Sequence, residues 1–326
     1  MSVQDGTRLK KTEVIELLNE LTEGSTAGDP MSTKKWSRKD TRSISEEMKN
    51  QRIDVSPNSV GKLLKDQNYS LRANRKTIAE THHPDRNQQF EIIAEFRKRF
   101  EDEGQPVVSV DTKKKEQVGN FKNPGKVWAR RGEDVFVHDF RSQAVAMASP
   151  YGLYEIFLNR GTVVVGISHD TPEFAVDCLD LWLDEVGWDT YPHMKKLLLL
   201  CDSGGSNGYR PRLWKYKLYN QIAKNHGIDV TVCHYPPGAS KWNPVEHRLF
   251  SFITMEWAGY PLRSIDLMLD YIRGTTTKTG LRVNAFLNPK SYEKGIKISD
   301  SQFKKISINW YETLSAWNYT IKPGLQ

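Results

Sequence analysis

The spacing of apolar positions along the chain changes near Gly104. Before it, apolar residues recur at helical intervals. "KKTEVIELLNELTEG" offers one helix. Ile44 and Met48 stand one turn apart in a segment from about Arg42 to Gln51. Ser56 and Pro57 then supply an N-cap and a first helical position, and Val60, Leu63 and Leu64 give the following helix one apolar face. Asn58, Ser59, Lys62 and Lys65 fall on its other sides. Phe90, Ile93, Phe96 and Phe100 mark a helix from about Arg86 to Glu103, expected to bridge two domains. After Gly104, alternation and unbroken apolar runs take over. They predict strands at 106–111 (PVVSVD), 134–140 (DVFVHDF), 161–168, 195–202 and 228–237, with helices at 171–187 and 209–227. One more helix begins within "SKWNPVEHRLFSFI" (240–253). Asn243 suits its N-cap, Pro244 its first position and Glu246 a capping box, while Val245, Leu249, Ile253 and Trp257 form a stripe beside Phe250. The order predicts an α/β layer with a mixed sheet flanked by helices, preceded by a small helical domain.

Length and charge divide the chain further. At 326 residues it has room for about two domains. The net charge of +7 is concentrated: residues 31–90 hold 13 Lys and Arg against 7 Asp and Glu, an excess of 6. Two short helices inside a basic segment match a helix-turn-helix whose second helix enters a major groove, with Arg72, Arg75 and Lys76 gripping phosphates. A small helical packing module with a solvated basic face fits the same pattern. Cys178, Cys201 and Cys233 include no C-x-x-C pair, so neither a disulfide framework nor a zinc site follows, and a reducing compartment is expected. "HHPDR" (82–86) reads as a loop introducing a helix rather than a metal site. No signal peptide is evident, and the longest apolar run, "LLLL" at 197–200, is far too short to span a membrane.

The candidate chemistry lies at strand ends. Asp111 and Asp202 each end a predicted strand, and Glu246 follows another, so three carboxylates from three segments can meet at one sheet edge. Such a set suits Mg²⁺, a hard ion that prefers oxygen ligands, and a pair of ions can serve both oxygens of a phosphoryl transfer. Each carboxylate alone is more often a turn residue or helix cap, and only the joint arrangement points to chemistry. Residues 112–131 carry seven Lys and Arg, among them Lys113, Lys114, Lys115 and Lys122, against one Glu. Placed directly after Asp111, they suit DNA phosphates better than a merely solvated run would. Lys241 and Trp242 stand beside Glu246 and are candidates for DNA contact, although Trp242 can equally pack on the sheet.

Several stretches carry a resemblance: "VVSVDTKKKEQVGNFKNPG" (107–125), "LLLLCDSGGSNG" (197–208), "YPPGASKWNPVEHRLFSFI" (235–253) and "WNYTIKP" (317–323), with "YSLRANRKT" and "HHPDRNQQFEII" before them. Together they resemble the Rhodopirellula-type DDE transposases of bacterial insertion sequences, over about residues 29–323. The resemblance implies a ribonuclease-H-like catalytic domain at 105–326, a connecting helix at 81–104, a helix-turn-helix region at 31–80 and a short segment at 1–30. It implies that Asp111, Asp202 and Glu246, at intervals of 91 and 44 residues, are the metal-binding acidic triad, and that Asn243 orients the loop or the DNA. The implied cofactor is Mg²⁺ or Mn²⁺, as two ions. The implied activity is cleavage of DNA at element ends and strand transfer into target DNA, by a homo-oligomer assembled on DNA in the bacterial cytoplasm, at the nucleoid. The family leads one to expect a further helix-turn-helix at the amino end, which residues 1–28 are too short to hold, so an amino-truncated copy is expected. A truncated or domesticated DNA-binding protein, or a nuclease that cuts without joining, is the alternative.

Overall fold

The computed structural model describes residues 5–23, 26–28, 35–37, 40–69 and 83–324. The chain divides into two units, Met1–Thr77 and Ile78–Gln326.

The first unit contains α1 (Asp5–Glu23), a ribbon of β1 (Thr26–Gly28) and β2 (Lys35–Ser37), α2 (Thr41–Asn50) and α3 (Pro57–Asp66). Local chemistry starts both short helices. Asp40 Oδ1 accepts the N–H groups of Arg42 and Ser43 at 2.9 and 2.8 Å. Ser56 Oγ accepts that of Ser59 at 3.2 Å, and Pro57 occupies the first turn of α3. Ten-residue helices are marginal alone and need tertiary packing. It is supplied by a cluster in which Ile44, Met48 and Val60 are buried with Leu17 and Leu18 of α1. Asn58, Ser59, Lys62 and Lys65 are all exposed on α3. Arg72, Arg75 and Lys76 lie outside the described residues.

The second unit opens with α4 (Arg86–Asp102), β3 (Val107–Thr112), β4 (Glu116–Val118), β5 (Ala146–Glu155) and β6 (Arg160–Gly166). Then α5 (Pro172–Trp182) runs through a π-helical turn at Leu183–Gly187 into the one-turn α6 (Trp188–Thr190). After β7 (Lys196–Cys201), α7 (Arg212–Lys217) likewise runs through a π-helical stretch at Leu218–Ala223 into α8 (Lys224–His226), ended by left-handed Gly227. The chain continues with β8 (Asp229–His234), α9 (Ser251–Glu256), α10 (Ile265–Gly274), β9 (Arg282–Asn288), α11 (Asp300–Phe303), β10 (Ile308–Trp310) and β11 (Asn318–Ile321). The strands form one mixed sheet in the order β10-β11-β8-β7-β3-β5-β6-β9, with β4 paired to β5. Its centre is three antiparallel strands, β6-β5-β3, continued by parallel β7 and β8. This is the ribonuclease-H-like arrangement. The α5–α8 layer covers one face, where Trp182 and Trp214 are fully buried; α4, α9 and α10 cover the other. Thus α4 is a packed layer of this unit: Ile92, Ile93, Phe96 and Phe100 cluster with Val107, Leu198 and Leu200.

One predicted strand is absent, and several observed strands, the central β5 and the outer β9, β10 and β11 among them, were not predicted. Residues 134–140 form an exposed loop in which Val137 and Phe140 face solvent. Their alternation is real, but no strand lies alongside to accept the backbone hydrogen bonds; the N–H of Phe136 instead bonds Asn120 O at 2.8 Å. The sheet position belongs to β5, whose Pro150 and Gly152 disguise it as a loop. Pro150 sits just past the end of the β3 pairing, where its missing N–H is harmless and its carbonyl accepts from Lys113 N at 2.8 Å. Gly152 pairs with Asp111 and leaves room for the helix above: a Cβ there would stand 2.6 Å from the Phe250 ring and 2.9 Å from Val245 Cγ2. Gly152→Ala is therefore expected to lower unfolding stability by about 1–3 kcal/mol, read by thermal or urea melts; an unchanged midpoint would mean that the helix is not seated on β5.

Candidate active site

The parallel register brings the carboxylates together. Val110 pairs with Cys201, so Asp111 and Asp202 leave adjacent strands side by side. The pleat then sets direction. Val108 and Val110 enter the α5–α7 core, whereas Ser109 and Asp111 face the α9 layer, where Glu246 lies in the π-helical turn that begins that helix.

A buried bonding scheme holds the edge. Ser109 Oγ donates to Asn243 Oδ1 and accepts the N–H of Val245 at 3.2 Å, so a strand serine acts as cap for the helix carrying Glu246. Asn243 Nδ2 donates to Asp202 Oδ1 at 3.0 Å. Asn243 thus ties two segments together; its side chain turns into the site instead of capping its own helix, and Glu246 closes no capping box there. Asn207, in the Gly-rich loop after Asp202, donates to Val110 O at 3.3 Å. On the opposite side, Thr112 Oγ1 donates to Asp170 Oδ1 at 3.2 Å.

A second chain of bonds supports Asp202 from below. His234 Nδ1 donates to Asp202 O at 2.9 Å, because a carbonyl can only accept. Its Nε2 accepts from Tyr319 OH at 3.2 Å, and that hydroxyl accepts from Trp214 Nε1 at 3.1 Å. Burial pushes the His234 pKa down to about 3, so the ring is neutral, as this tautomer requires. Buried Lys215 lies 5.0 Å from the Tyr319 ring centre and donates to Tyr209 O; its pKa falls to about 8 through loss of solvent.

The carboxylates are mutually unfavourable. Burial, then the charge of Asp202, pushes the Asp111 pKa up to about 8, with Glu246 adding its own charge and a hydrogen bond; only the N–H of Thr112, at 2.8 Å, opposes. Asp202 is raised too, chiefly by burial and further by Glu246, against the bond from Asn243. Clustered acids that resist ionising invite a cation. Among the described residues, no group of three or more His, Cys, Asp or Glu side chains is placed to hold a metal ion. Mg²⁺ and Mn²⁺ take one or two protein carboxylates each and complete their shells with water and phosphate oxygens. The all-oxygen donor set fits such ions and not a thiolate-bound metal. All three cysteines are free and buried.

The basic residues divide by environment. Lys113 is turned back: its ammonium pairs with Glu116 and lies 5.3 Å from the Trp257 ring centre. Lys114, Lys115 and Lys122 are exposed and, with Arg141, line a cleft of about 710 Å³ floored by Phe121, Met147 and Leu262. Lys115 reaches Ser168 O at 3.2 Å. Lys241 and Trp242 are exposed, the ammonium 5.3 Å from the indole centre, and Trp242 meets Phe90 edge-on. His83 packs edge-on against Trp317. Sequence reasoning missed Ser109, Asn207, Asp170, His234 and Arg141. Two left a signal: a serine inside the apolar run VVSV, and a histidine ending the buried strand DVTVCH. The others lie in loops whose partners are distant in sequence.

The fold is that of a DDE-type phosphoryl-transfer enzyme, and a family match shows the class. The chain belongs to the family described as the Rhodopirellula transposase DDE domain, whose model matches residues 17–323. It is a DDE transposase, an enzyme of DNA transposition, and DDE transposases use divalent metal ions. No curated protein matches it. Among solved structures it is similar to the "Mos1 transposase paired-end complex with left transposon end", with 11% identity, a TM-score of 0.43, and coverage of 79% of this chain and 69% of that one. The Mos1 mariner paired-end complex with Mn gives 11%, 0.42, 79% and 69%, and a pre-cleavage Mos1 transpososome 10%, 0.42, 78% and 68%. No described helix is long and apolar enough to cross a membrane.

Proposed function

We propose that Asp111, Asp202 and Glu246 are the catalytic triad of this transposase and hold two divalent ions, Mg²⁺ or Mn²⁺. The observation that supports the assignment is geometric: the register of Val110 with Cys201 sets Asp111 beside Asp202, and Asn243, three residues before Glu246, bonds Asp202. When bound, such ions make an attacking oxygen more nucleophilic and offset charge on the leaving oxygen of a phosphodiester. The protein's own part is placement. Ser109 and Asn243 lock the helix start that bears Glu246 to the strands that bear Asp111 and Asp202. His234 holds the Asp202 backbone from the buried side. Lys114, Lys115, Lys122 and Arg141 neutralise phosphates of DNA lying in their cleft. The exposed positions of α3, Asn58, Ser59, Lys62 and Lys65, support groove contact by the first unit. A multimer on paired DNA ends, working in the bacterial cytoplasm at the nucleoid, completes the reading.

The test is a strand-transfer assay on labelled DNA carrying the sequences that flank the gene. Joined products are expected with Mg²⁺ or Mn²⁺ and none with EDTA. Cut but never joined DNA would replace this reading with that of a nuclease.

A further inference from the structure

The loop Lys122–Arg131 (KNPGKVWARR) has a pinned base and an unpartnered tip. Asn123 Nδ2 donates to Trp257 O at 3.0 Å, and Gly259 N donates to Pro124 O at 3.0 Å. Gly125 has φ +120°, and a Cβ there would stand 2.7 Å from Ala258 Cβ and 2.9 Å from Gly259 N. The loop is thereby fastened to the carboxyl end of α9, the helix whose opening turn carries Glu246. Val127 faces this anchor, its Cγ1 only 3.4 Å from where a Gly259 Cβ would be. Trp128 faces away and is 105% exposed.

The Trp128 indole is fully exposed and serves no core. Its neighbours indicate the occupant. Residues 122–131 contain Lys122, Lys126, Arg130 and Arg131 and no acid. The next acids along the chain are engaged: Asp134 with Arg131 at 3.1 Å, and Glu133 with Arg263 at 2.6 Å. Lys122 belongs to the basic cleft itself. An aromatic ring in a loop with Lys122, Lys126 and Arg130, whose base lines the basic cleft, matches the composition of single-stranded nucleic-acid platforms, where bases stack and cations track the backbone. An apolar protein partner would have no use for the surrounding charge.

Resting on the DNA reading above, we propose that Trp128 is a stacking platform for an unpaired DNA base beside the basic cleft. Paired duplex gives it nothing to stack on, so its contribution is specific to DNA with an extrahelical base. The side chain touches no reacting atom and acts by holding the opened strand.

The test uses the full chain without divalent metal, so that binding alone is read. The probes are a 30-base-pair duplex carrying one extrahelical 2-aminopurine and its fully paired counterpart. Wild type is expected to prefer the former about five- to tenfold, the lower range of what aromatic stacking on a base contributes, and to quench its fluorescence. Trp128→Ala should lose both effects while binding paired duplex as before, and Trp128→Phe should keep most of the preference. Equal preference in wild type and Trp128→Ala overturns the proposal, as does an equal loss on both duplexes. So does a change of oligomeric state in Trp128→Ala with base preference intact, which would assign the indole to a second copy. Wild type that shows the preference but never joins DNA would refute the transposition chemistry and leave this inference standing.

Discussion

Asp111→Asn, Asp202→Asn and Glu246→Gln each lower strand transfer on the order of 10³-fold or more, with affinity for DNA changed little at matched salt. The amides keep the size of each side chain but remove the anionic oxygen that a hard divalent ion requires. They also remove one member of a repelling group, since Asp111 is raised by both Asp202 and Glu246. The inactive variants should therefore be at least as stable as wild type without metal. This pairing separates a catalytic assignment from misfolding, because a lost cap or packing residue would lower activity and stability together. Measurement needs joined-product yields, binding isotherms and metal-free melts on the same preparations. Retention of strand transfer by any one variant removes that residue from the triad. Glu246→Gln is the most diagnostic, because a glutamine would preserve any capping role and so leave activity intact if capping were all that Glu246 did.

In metal-free buffer, unfolding stability falls as pH rises from about 4 to about 8. Burial and the neighbouring carboxylates lift the folded-state pKa of Asp111 to about 8, from the ordinary 3.8. The folded chain therefore binds the extra proton in this window, and ionising it costs more in the folded state than in the unfolded one. For an acid raised in this way stability is lost with increasing pH and levels off above the folded pKa. The full displacement is worth on the order of 5 kcal/mol, and coupling with Asp202, which is also raised, spreads it over the pair. A divalent ion competes with that proton, so saturating Mg²⁺ should stabilise the chain more at pH 8.5 than at pH 6. Asp111→Asn should flatten the metal-free profile. Melts between pH 4.5 and 8.5, with and without Mg²⁺, decide it. A flat wild-type profile would place the three acids too far apart, or too well solvated, to form the proposed site.

Much of this was legible from residue spacing, for a physical reason. Helix starts are local: Ser56-Pro57 and the periodic stripe from Val245 to Trp257 act on neighbours a few residues away. The Ser56 cap, buried Val60 and the buried stripe stand where spacing put them. Unbroken apolar runs such as KLLLLC mark strands buried on both faces, whatever their neighbours. Asp111 and Asp202 at strand ends follow from the same patterns. The misreadings at 134–140 and 146–155 share one cause. Alternation shows that a segment could be a strand, but pairing depends on what lies alongside. Val137 has no partner strand, while β5 keeps its place despite Pro150 and Gly152 because β3 and β6 flank it.

Residue spacing alone marks which side chains could carry the chemistry and on which elements they ride. Tertiary structure alone decided that these side chains meet. The register of Val110 with Cys201 sets Asp111 beside Asp202, and the pleat turns Ser109 and Asp111 toward the α9 layer. Asn243 shows the division most clearly. Its place before Pro244 made it a cap by every local rule, yet its amide bonds Asp202, 41 positions away in the chain, while Ser109 takes over the capping. Buried polar groups must find partners, and in a closed core the nearest partner in space outweighs the nearest in sequence.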